Sequence, residues 1–589
     1  MRQEYAWRSI VITAFLPFLA LAILGQMVRI QTSPEANQLR IWDKNNSMHW
    51  QMFYPERGNI FDRDGHLLAG NKTVYTMGVN LPDMKDAHTL ALTASTYLGL
   101  NYDDTMRLLT DKEYQKEINA DGLVFVTLKS SVSSEEAAPL IKLQEDLAKQ
   151  AKDSNQPSAL SGLEFQPALQ RSYPEDALAS NVIGFVNGAG RGYFGVEEKY
   201  NDLLAGNPVK ALVPNDPNRA AEMPKVPDGT TLILTINRDL QAAAEQSLDQ
   251  ALTNYNAQNG SIVIMDPHTG EILAMATTPR MDLNQPSDYG AIYTGREFNS
   301  AISVQYEPGS VFKVLTMAAG LDTGTIVPET MFNDTGGIIV GDVLIQNWDR
   351  RPWGWQDMTG CLQHSLNVCL AWVATQLGQD NFYTYMNRFG IGHPSGIDLA
   401  GEMPGRLKIP GDGDWFPVEL GTNAFGQGVA VTPVQMLMAV SAVANNGHMV
   451  VPHLVYGMVR DGRQFNIQPP PAGMPISEAT AKTLSNMLAN SLENEASMAL
   501  VPGYRIAGKT GTAQIPVNGY YDPNSTNASF VGWGPVDDPQ FLIYVWLENP
   551  TVSTWANDTA APLFSEIAQK TVILLDIPPD AVRLQVANR

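Results

Sequence analysis

The segment 261–274 reads SIVIMDPHTGEILA, and it decides the fold class of the larger part of this chain. Two apolar runs joined by a turn predict a hairpin of an antiparallel sheet. Another strand is predicted upstream at 231–236, and the stretch 238–255 that follows it has helical spacing. The hairpin is therefore part of a sheet that already has a helix beside it.

Strand patterns return near the end of the chain. Apolar runs at 528–533 and 541–547 predict two late strands, and 561–575 predicts a final helix. A long block with mostly helical patterns separates these strands from the early ones. Strands from both ends of one unit, with helices between them, predict an α+β fold in which helices cover an antiparallel sheet.

Length and charge limit the possible classes of protein. A chain of 589 residues is too long for a single core, so we expect two or more domains. The 61 acidic residues exceed the 39 basic ones and give a net charge of −22. This argues against nucleic acid as a partner, because neutralising phosphates needs a basic surface. No set of Cys and His residues has metal-ligand spacing, so we expect no metal site.

Residues 10–28 are almost all apolar and uncharged, and about 20 such residues cross a bilayer as a helix. Arg2 and Arg8 precede this run and favour the N-terminus inside the cell. The alternative is a cleaved signal peptide, but the run is long for one and no A-x-A cleavage site follows. We therefore expect a single-pass membrane protein, with everything after about residue 30 outside the cytoplasm.

Composition divides the rest of the chain. The segment 208–227 is rich in proline, asparagine and charge, which is typical of an exposed linker. The predicted parts are a cytoplasmic tail at 1–9, the anchor at 10–28, a polar stalk at 29–56, an N-terminal domain at 57–207, the linker at 208–227, a main domain at 228–577 and a tail at 578–589.

The only two cysteines, Cys361 and Cys369, lie on either side of Ser365. If this segment is mostly helical, eight residues rise roughly 12 Å. The Cα atoms of a disulfide lie only about 5.5 Å apart. We therefore expect two free, partly buried thiols, although a sharp turn between them would shorten the distance.

Three short motifs occur in one order along the main domain. They are S-x-x-K at 310–313, S-x-N at 365–367 and K-T-G at 509–511. A second S-x-N match at 525–527 lies after K-T-G, in the wrong order, and we interpret it as accidental. Any one triplet alone would mean little, but the order of the three resembles the series of the penicillin-recognising serine acyltransferases.

The first motif suits nucleophilic catalysis. Ser310 and Lys313 are three residues apart in a helical pattern, which places both on one helix face, with Ser310 in the first turn. A serine hydroxyl is a weak nucleophile until a base takes its proton. A lysine amine can be that base if desolvation or a neighbouring cation lowers its pKa. Without the other motifs, such a tetrapeptide would more often be the start of a helix with its lysine exposed to solvent.

The second motif can assist the first. A second serine, Ser365, can relay a proton, and Asn367 offers a donor and an acceptor to lysine and substrate. The neighbouring His364 suggests a Ser-His pair, but no third partner is evident, so we predict a histidine outside the chemistry. Alone, the motif would be a capping serine and a turn asparagine.

The third motif suits binding of an anionic peptide end. Two glycines, Gly508 and Gly511, lie on a predicted strand and allow a substrate peptide to add alongside that edge strand. Lys509 would supply positive charge for a carboxylate, with the hydroxyls of Thr510 and Thr512. The backbone N–H groups of Ser310 and Thr512 are candidates for an oxyanion hole.

With these residues, the chain closely resembles the class B penicillin-binding proteins, the monofunctional transpeptidases of bacterial cell-wall synthesis. The resemblance covers nearly the whole chain. It implies a membrane-anchored protein with two domains, an elongated N-terminal pedestal of the dimerisation type and a transpeptidase domain like the serine β-lactamases. Besides the three motifs, it rests on segments 57–65, 195–206, 426–435 and 530–533.

The resemblance implies a mechanism. Ser310 would attack the D-Ala–D-Ala bond of a stem peptide, release the last D-alanine and keep the rest as an acyl-enzyme. An amine of a neighbouring stem peptide would then take the acyl group and form the cross-link. Lys313 would be the main base, assisted by Ser365 and Asn367. The segment 509–512 (Lys509, Thr510, Gly511 and Thr512) would bind the donor's terminal carboxylate.

The resemblance also implies partners. β-Lactams would acylate the same serine, and neither a metal nor an organic cofactor is implied. A polytopic membrane glycosyltransferase of the shape, elongation, division and sporulation (SEDS) class would contact the anchor and pedestal. The family does not decide between elongation, division and sporulation.

D,D-carboxypeptidases, β-lactamases and β-lactam sensors share the motifs, and an inert scaffold is a fourth alternative. A D,D-carboxypeptidase or a β-lactamase would use water as acceptor, but the anchor and the long pedestal argue against both. A β-lactam sensor needs a signalling domain inside the cell, and only about eight residues precede the anchor. An inert scaffold would keep the pedestal and lose the chemistry, whereas the motifs here are intact.

Overall fold

The computed structural model describes residues 6–34, 36, 38, 48–119, 123–214, 223–495, 497–517 and 520–587. They belong to two compact units, one within 1–56 and 206–228 and the other within 57–205 and 229–589.

The strands, in chain order, are β1 (Met48–Phe53), β2 (Ile60–Phe61), β3 (Leu67–Asn80), β4 (Phe125–Ser133), β5 (Leu163–Ser172), β6 (Phe185–Val186), β7 (Gly192–Tyr193), β8 (Val209–Pro214), β9 (Thr231–Leu234), β10 (Asn259–Met265), β11 (Ile272–Thr277), β12 (Phe332–Asp334), β13 (Gly337–Val340), β14 (Val343–Gln346), β15 (Gly354–Gln356), β16 (Arg406–Leu407), β17 (Val429–Ala430), β18 (Val455–Arg460), β19 (Arg463–Asn466), β20 (Ala507–Val517), β21 (Tyr520–Gly534) and β22 (Phe541–Glu548).

The α-helices are α1 (Ala6–Thr32), α2 (Ala87–Leu98), α3 (Tyr102–Thr110), α4 (Lys112–Ile118), α5 (Ser134–Ser154), α6 (Ser180–Ile183), α7 (Gly195–Lys199), α8 (Asn201–Ala205), α9 (Arg238–Tyr255), α10 (Tyr289–Ile292), α11 (Ser300–Ser303), α12 (Lys313–Asp322), α13 (Met358–Gln363), α14 (Asn367–Leu377), α15 (Gln379–Arg388), α16 (Glu419–Asn423), α17 (Pro433–Ala444), α18 (Glu478–Glu495), α19 (Ala560–Leu574) and α20 (Asp580–Ala587).

The first unit contains α1 and the ribbon of β1 and β8. Within α1, Thr13–Thr32 is long and apolar enough to cross a membrane, slightly further along the chain than the predicted 10–28. Strand β8 pairs antiparallel with β1, from Met48 opposite Pro214 to Phe53 opposite Val209. The segment predicted as an exposed linker, 208–227, therefore includes a strand at 209–214. Its alternating Val209, Ala211 and Val213 are a strand pattern, which the neighbouring prolines and charges concealed.

A five-stranded antiparallel sheet forms the centre of the second unit, in the order β11-β10-β22-β21-β20. The hairpin predicted at 261–274 is β10 and β11, and the two predicted late strands are β21 and β22. As predicted, the strand that carries K-T-G, β20, lies at an edge of this sheet.

Helices cover both faces of this sheet, as the α+β pattern predicts. Along β22, Ile543 and Val545 point into a core shared with α9 and α19. The alternate residues Leu542, Tyr544 and Trp546 point into the larger core that contains α12, α14 and α17. Because both faces are covered, all but the last residue of β22 are buried, which gives the continuous apolar run seen in the sequence.

A seven-stranded sheet joins residues from both sides of the predicted linker. Its order is β19-β18-β9-β2-β3-β4, and β5 also pairs with β3. The strand predicted at 231–236 is β9, but it pairs in parallel with β2 and antiparallel with β18 rather than joining the five-stranded sheet. Asp64 and Gly65 lie in the turn between β2 and β3, which pair antiparallel.

A buried ion network explains two of the N-terminal segments named above. The Glu197 carboxylate is fully buried and accepts hydrogen bonds from Arg57 Nε at 2.8 Å and Arg171 Nε at 2.7 Å. Arg171 also donates to the Gly58 carbonyl at 2.8 Å. A buried carboxylate is tolerated only when it is paired in this way, so these residues fix segment 57–65 against segment 195–206.

The predicted tail at 578–589 is helical over most of its length. Asp580 begins α20, and its carboxylate accepts the Arg505 backbone N–H at 2.6 Å. Arg583 on the same helix donates to Asp537 at 2.6 Å and to Asp580 at 2.8 Å. These polar contacts hold the helix beside the start of β20.

Candidate active site

Ser310 lies in a short 3-10 turn, Gly309–Phe312, which leads directly into α12 at Lys313. The turn begins at Gly309, which has φ +58°, a left-handed conformation that favours glycine. The Gly309 N–H donates to the Gly426 carbonyl at 3.1 Å. Gly426 packs so closely against Gly309 that a Cβ would overlap its backbone. Gly426, in the segment 426–435, therefore supports the turn that carries Ser310, a role that the sequence alone did not indicate.

The Lys313 side chain is completely buried, with 0% of its surface exposed. Its Nζ donates to the Ser365 carbonyl at 2.5 Å, to Asn367 Oδ1 at 2.8 Å and to Ser365 Oγ at 3.1 Å. Asn367 is oriented by its own Nδ2, which donates to the Gln346 carbonyl at 3.3 Å. The structure thus brings the S-x-x-K lysine and both polar residues of S-x-N into direct contact.

Burial lowers the pKa of Lys313 well below the ordinary lysine value, and the nearby charge of Lys509 lowers it further. Lys509 is itself only 5% exposed, and its Nζ donates to Ser365 Oγ at 3.1 Å. The two amines therefore share one hydroxyl. Removing a charged amine from water and placing a second cation beside it both favour the neutral form, which is the form that can accept a proton.

Ser365 is held in a left-handed turn, with φ +52°. Helix α13 ends at Gln363, and α14 begins at Asn367, so the S-x-N motif is the turn between two helices. Backbone hydrogen bonds from Ser365 to Leu362 at 3.1 Å and from Leu366 to Cys361 at 3.0 Å close this turn. A non-glycine residue in this conformation costs energy and is often found where a side chain must be aimed.

The two cysteines form a disulfide, with their Cα atoms 6.1 Å apart. The expectation of two free thiols was therefore wrong. It assumed a continuous helix, whereas the left-handed residue Ser365 folds the chain back and brings Cys361 near Cys369. Both cysteines are fully buried. Because Cys361 lies on α13 and Cys369 on α14, the bridge joins these two helices directly behind the S-x-N turn.

Removal of this disulfide should lower stability. A bridge that closes a loop of this length stabilises the folded state by about 2–3 kcal/mol in the chain-entropy picture. We expect the paired variant Cys361→Ala, Cys369→Ala to unfold at a thermal midpoint several degrees below that of the wild type. Reducing agent should lower the wild-type midpoint similarly and leave the variant unchanged. Equal midpoints for all samples would contradict this prediction.

The K-T-G strand packs directly on the 3-10 turn that carries Ser310. A Cβ on Gly511 would lie within 3.0 Å of the Pro308 carbonyl, Val311 and the Ser529 hydroxyl. The glycine thus permits close approach between β20 and the Ser310 turn. The sequence argument for Gly508 and Gly511 was approach by a substrate, but for both glycines the close neighbours belong to the protein itself.

Gly511→Ala should push the turn that carries Ser310 away from the K-T-G strand. The added methyl group would overlap the Ser529 hydroxyl, the Pro308 carbonyl and the Val311 side chain, and the last two belong to the start of that turn. A displacement near 1 Å at a reacting group costs about 10²-fold in rate. We expect a loss of about this size in the rate of acylation by a fluorescent penicillin. Gly413→Ala is the matched control, because no atom lies within 4 Å of a Cβ there; equal rates for both variants would refute the packing argument.

One cavity of about 510 Å³ contains the predicted residues. Ser310, Ser365, Asn367, Lys509, Thr510 and Thr512 all line it, and Lys313 is buried beside it. Sequence reasoning missed other lining residues, among them Trp348, Phe425, Trp555, Asn557 and Asp558. No motif marks them, since they come from separate loops that only the fold brings together.

His364 also lines the cavity, but its ring stacks on Trp353, with centroids 4.2 Å apart. The second S-x-N match begins at Ser525, whose hydroxyl donates to Asp522 at 2.9 Å in β21. Ser525 is not among the residues that line the cavity. Across the described ranges, no group of three or more His, Cys, Asp or Glu side chains is placed to hold a metal ion.

Two protein families match this chain. The penicillin binding protein transpeptidase domain matches residues 260–569, and the penicillin-binding protein dimerisation domain matches residues 53–220. The first includes all three motifs and more than half of the chain, and the second corresponds to the predicted pedestal.

Individual relatives agree with these matches. Stage V sporulation protein D of Bacillus subtilis is 31% identical, over 90% of this chain and 79% of that protein. The probable peptidoglycan D,D-transpeptidase PbpC of Pseudomonas aeruginosa is 28% identical, over 98% of this chain and 97% of that protein. The crystal structure of penicillin binding protein 3 from Mycobacterium tuberculosis, complexed with aztreonam, has a TM-score of 0.67 at 25% identity and covers 90% and 98% of the two chains.

Proposed function

Because the chain belongs to the penicillin-binding protein transpeptidases and is a peptidoglycan D,D-transpeptidase, we propose that Ser310 is its nucleophile and Lys313 its general base. The observation that carries this assignment is the buried Lys313 amine, one helical turn after Ser310 and in contact with Ser365 and Asn367. In this proposal β-lactams bind the same cavity as analogues of the peptide donor, which agrees with the aztreonam complex of the similar penicillin binding protein 3.

The hydrogen bonds of Lys313 support its role as a base. A protonated amine has three N–H donors, and three acceptors surround it here. The neutral amine has two N–H donors and one lone pair. The Ser365 carbonyl and Asn367 Oδ1 can only accept hydrogen bonds, so they take the two N–H groups of the neutral amine. The lone pair of the amine then remains available to accept a proton from a hydroxyl group. The neutral amine is thus oriented as a proton acceptor.

Acylation follows from this arrangement. Lys313 takes the Ser310 proton as Oγ attacks the carbonyl carbon of the D-Ala–D-Ala bond, and the C–N bond to the last D-alanine breaks. Ser365 receives N–H groups from both lysines at 3.1 Å, so its own proton can point toward the leaving nitrogen. The leaving amine takes up that proton, and Lys313 restores it to Ser365.

Lys509 and the threonines of K-T-G bind the donor's terminal carboxylate in this proposal. The Thr512 hydroxyl already accepts the Ala556 backbone N–H at 3.1 Å, which leaves its proton free to donate. The free edge of β20 aligns the donor peptide. The backbone N–H groups of Ser310 and Thr512 stabilise the oxyanion of the tetrahedral intermediate.

The location and partners complete the proposal. Helix α1 anchors the enzyme in the cell membrane as a single span, with the short N-terminal segment inside and the catalytic domain outside. A polytopic glycosyltransferase of the SEDS class supplies the glycan strands and contacts the anchor and the pedestal. Substrate for the transpeptidase is then produced beside it.

Product analysis tests this function against the hydrolytic alternative. The full-length enzyme, supplied with polymerised, uncross-linked peptidoglycan, should release D-alanine and form cross-linked dimers of stem peptides in comparable amounts. Release of D-alanine with no cross-linked product would instead indicate a D,D-carboxypeptidase. The absence of both products, together with no labelling by a fluorescent penicillin, would indicate an inert scaffold.

A further inference from the structure

Two exposed tryptophans form part of the wall of the cavity that Ser310 lines. Trp348 is 52% exposed and Trp555 is 47% exposed, and their rings meet edge to face with centroids 5.2 Å apart. The Trp348 indole N–H donates to the His364 carbonyl at 3.2 Å, next to Ser365. This pair, here called the tryptophan bridge, therefore joins the S-x-N side of the cavity to the loop before α19.

That loop is attached to the K-T-G strand. The Ala556 backbone N–H donates to Thr512 Oγ1 at 3.1 Å, and the Trp555 backbone N–H donates to Ser553 Oγ at 3.2 Å. The Ser553 hydroxyl donates in turn to Asp558 Oδ2 at 2.8 Å. These bonds hold the Trp555 ring and the exposed Asp558 carboxylate at the end of the cavity formed by Lys509, Thr510 and Thr512.

The chemistry of the reaction decides which substrate binds at the end of the cavity formed by Lys509, Thr510 and Thr512. Under the proposed function, which this inference extends, the last D-alanine binds there and leaves as an amine. The incoming acceptor is also an amine, and it must form a tetrahedral intermediate of the same kind at the same carbon. By microscopic reversibility it approaches from the side on which the first amine left. The acceptor therefore occupies the space beside the tryptophan bridge.

We propose that the tryptophan bridge and Asp558 form the acceptor subsite, which takes a primary amine carried on an aliphatic side chain. The amine arrives as an ammonium ion, and Asp558 at the mouth attracts it. The ring faces of Trp348 and Trp555 attract the same cation and pack against the methylene groups behind it. The donor peptide needs none of these contacts, because its charged end is a carboxylate.

The transfer step balances without any further reactant. The ammonium ion loses one proton to solvent as it moves inward. The neutral nitrogen forms a bond to the acyl carbon, the bond from that carbon to Ser310 Oγ breaks, and one N–H proton passes through Ser365 and Lys313 to Ser310 Oγ. The products are an amide cross-link and the free enzyme. Hydrolysis is the same sequence with water as the nucleophile.

The competition between amide formation and hydrolysis measures how well the acceptor subsite captures the amine, independently of the acylation step. The full-length enzyme is acylated with a thioester analogue of the donor, and amide and acid products are measured over a range of Nα-acetyl-lysine concentrations. The measured quantity is the acceptor concentration at which half of the acyl-enzyme becomes amide. Every turnover starts from the same acyl-enzyme, so a change in acylation rate cancels from this ratio.

We expect Trp555→Ala to raise this half-partition concentration about tenfold, which corresponds to about 1.4 kcal/mol. Asp558→Asn should raise it several-fold, and its effect should shrink at high salt because the contact is exposed. The matched controls are Trp355→Ala, whose ring is 66% exposed outside the cavity, and Asp461→Asn, an exposed carboxylate on the β18–β19 turn. Both controls should partition like the wild type.

Two results would overturn the acceptor subsite. One is wild-type partition in both Trp555→Ala and Asp558→Asn, and the other is an equal change in the controls. A wild type that acylates at Ser310 and then gives only acid at every acceptor concentration would also refute it. Failure of the proposed catalytic roles is distinct, because the wild type would then form no acyl-enzyme at Ser310 at all.

Discussion

Replacement of Ser310 by alanine should abolish both penicillin labelling and cross-linking, while the protein remains folded. The hydroxyl is the only group that we assign to covalent attachment of the donor, so no acyl-enzyme can form without it. Loss of a catalytic serine typically reduces turnover by a factor of about 10⁶, which places both activities below detection. The side chain is small and partly exposed in a 3-10 turn, so the thermal midpoint should stay close to that of the wild type.

The chain contains a matched control for this experiment. Ser525 begins the second S-x-N match, and its hydroxyl donates to Asp522 outside the cavity lining. Ser525→Ala should therefore label and cross-link at wild-type rates. Persistent labelling of the Ser310→Ala variant would contradict the assignment of the nucleophile. Loss of labelling in both variants would show that the assay responds to damage to the fold.

The second large effect should come from Lys313. Lys313→Met keeps an unbranched side chain of similar length in the buried site and removes the base. General bases contribute about 10²–10⁴-fold to rate, and we expect the rate of acylation by a fluorescent penicillin to fall within that range. Lys482→Met is the control, because Lys482 is an exposed lysine that pairs with Glu478 on α18. An acylation rate within a few-fold of wild type for Lys313→Met would exclude lysine as the base.

The pH dependence of acylation gives an independent test of the same assignment. Only the neutral amine can accept the Ser310 proton, so the rate should fall as the pH drops through the pKa of Lys313 and level off above it. Because burial and Lys509 hold this pKa well below the ordinary lysine value, the plateau should already be reached far below the pH at which a free lysine loses its proton.

A Lys509→Gln variant removes the second cause of that low pKa. Loss of the neighbouring cation raises the pKa of Lys313, so the fall in rate should begin at a higher pH than in the wild type. Weaker binding of the donor carboxylate should also lower the rate at every pH, but it does not change the pH at which the rate begins to fall. A fall at the same pH in both proteins would mean that Lys509 does not influence the base.

The sequence predicted the parts of this fold that depend on local patterns. The hairpin of β10 and β11 and the late strand β22 are apolar on both faces, because two helical layers cover their sheet. Such runs are recognisable without a structure. The strand β8 was missed because its short apolar alternation lies between proline-rich and charged residues.

The candidate site could be predicted only where motifs mark it. The residue types and order of the three motifs identified six residues of the cavity wall and the buried Lys313. The tryptophan bridge carries no motif, since Trp348 and Trp555 are about 200 residues apart in the chain and meet only in the folded protein. The disulfide was predicted wrongly for a related reason, because a single left-handed residue, Ser365, replaced the helix on which the distance argument relied.

Mapping the covalent adduct tests whether Ser310 is the nucleophile. The full-length enzyme is incubated with a β-lactam, digested and analysed by tandem mass spectrometry. We expect one adduct, on the Ser310 hydroxyl, that is absent from the Ser310→Ala variant and unchanged in Ser525→Ala. An adduct on any other side chain, or one that persists after Ser310 is removed, would contradict this assignment.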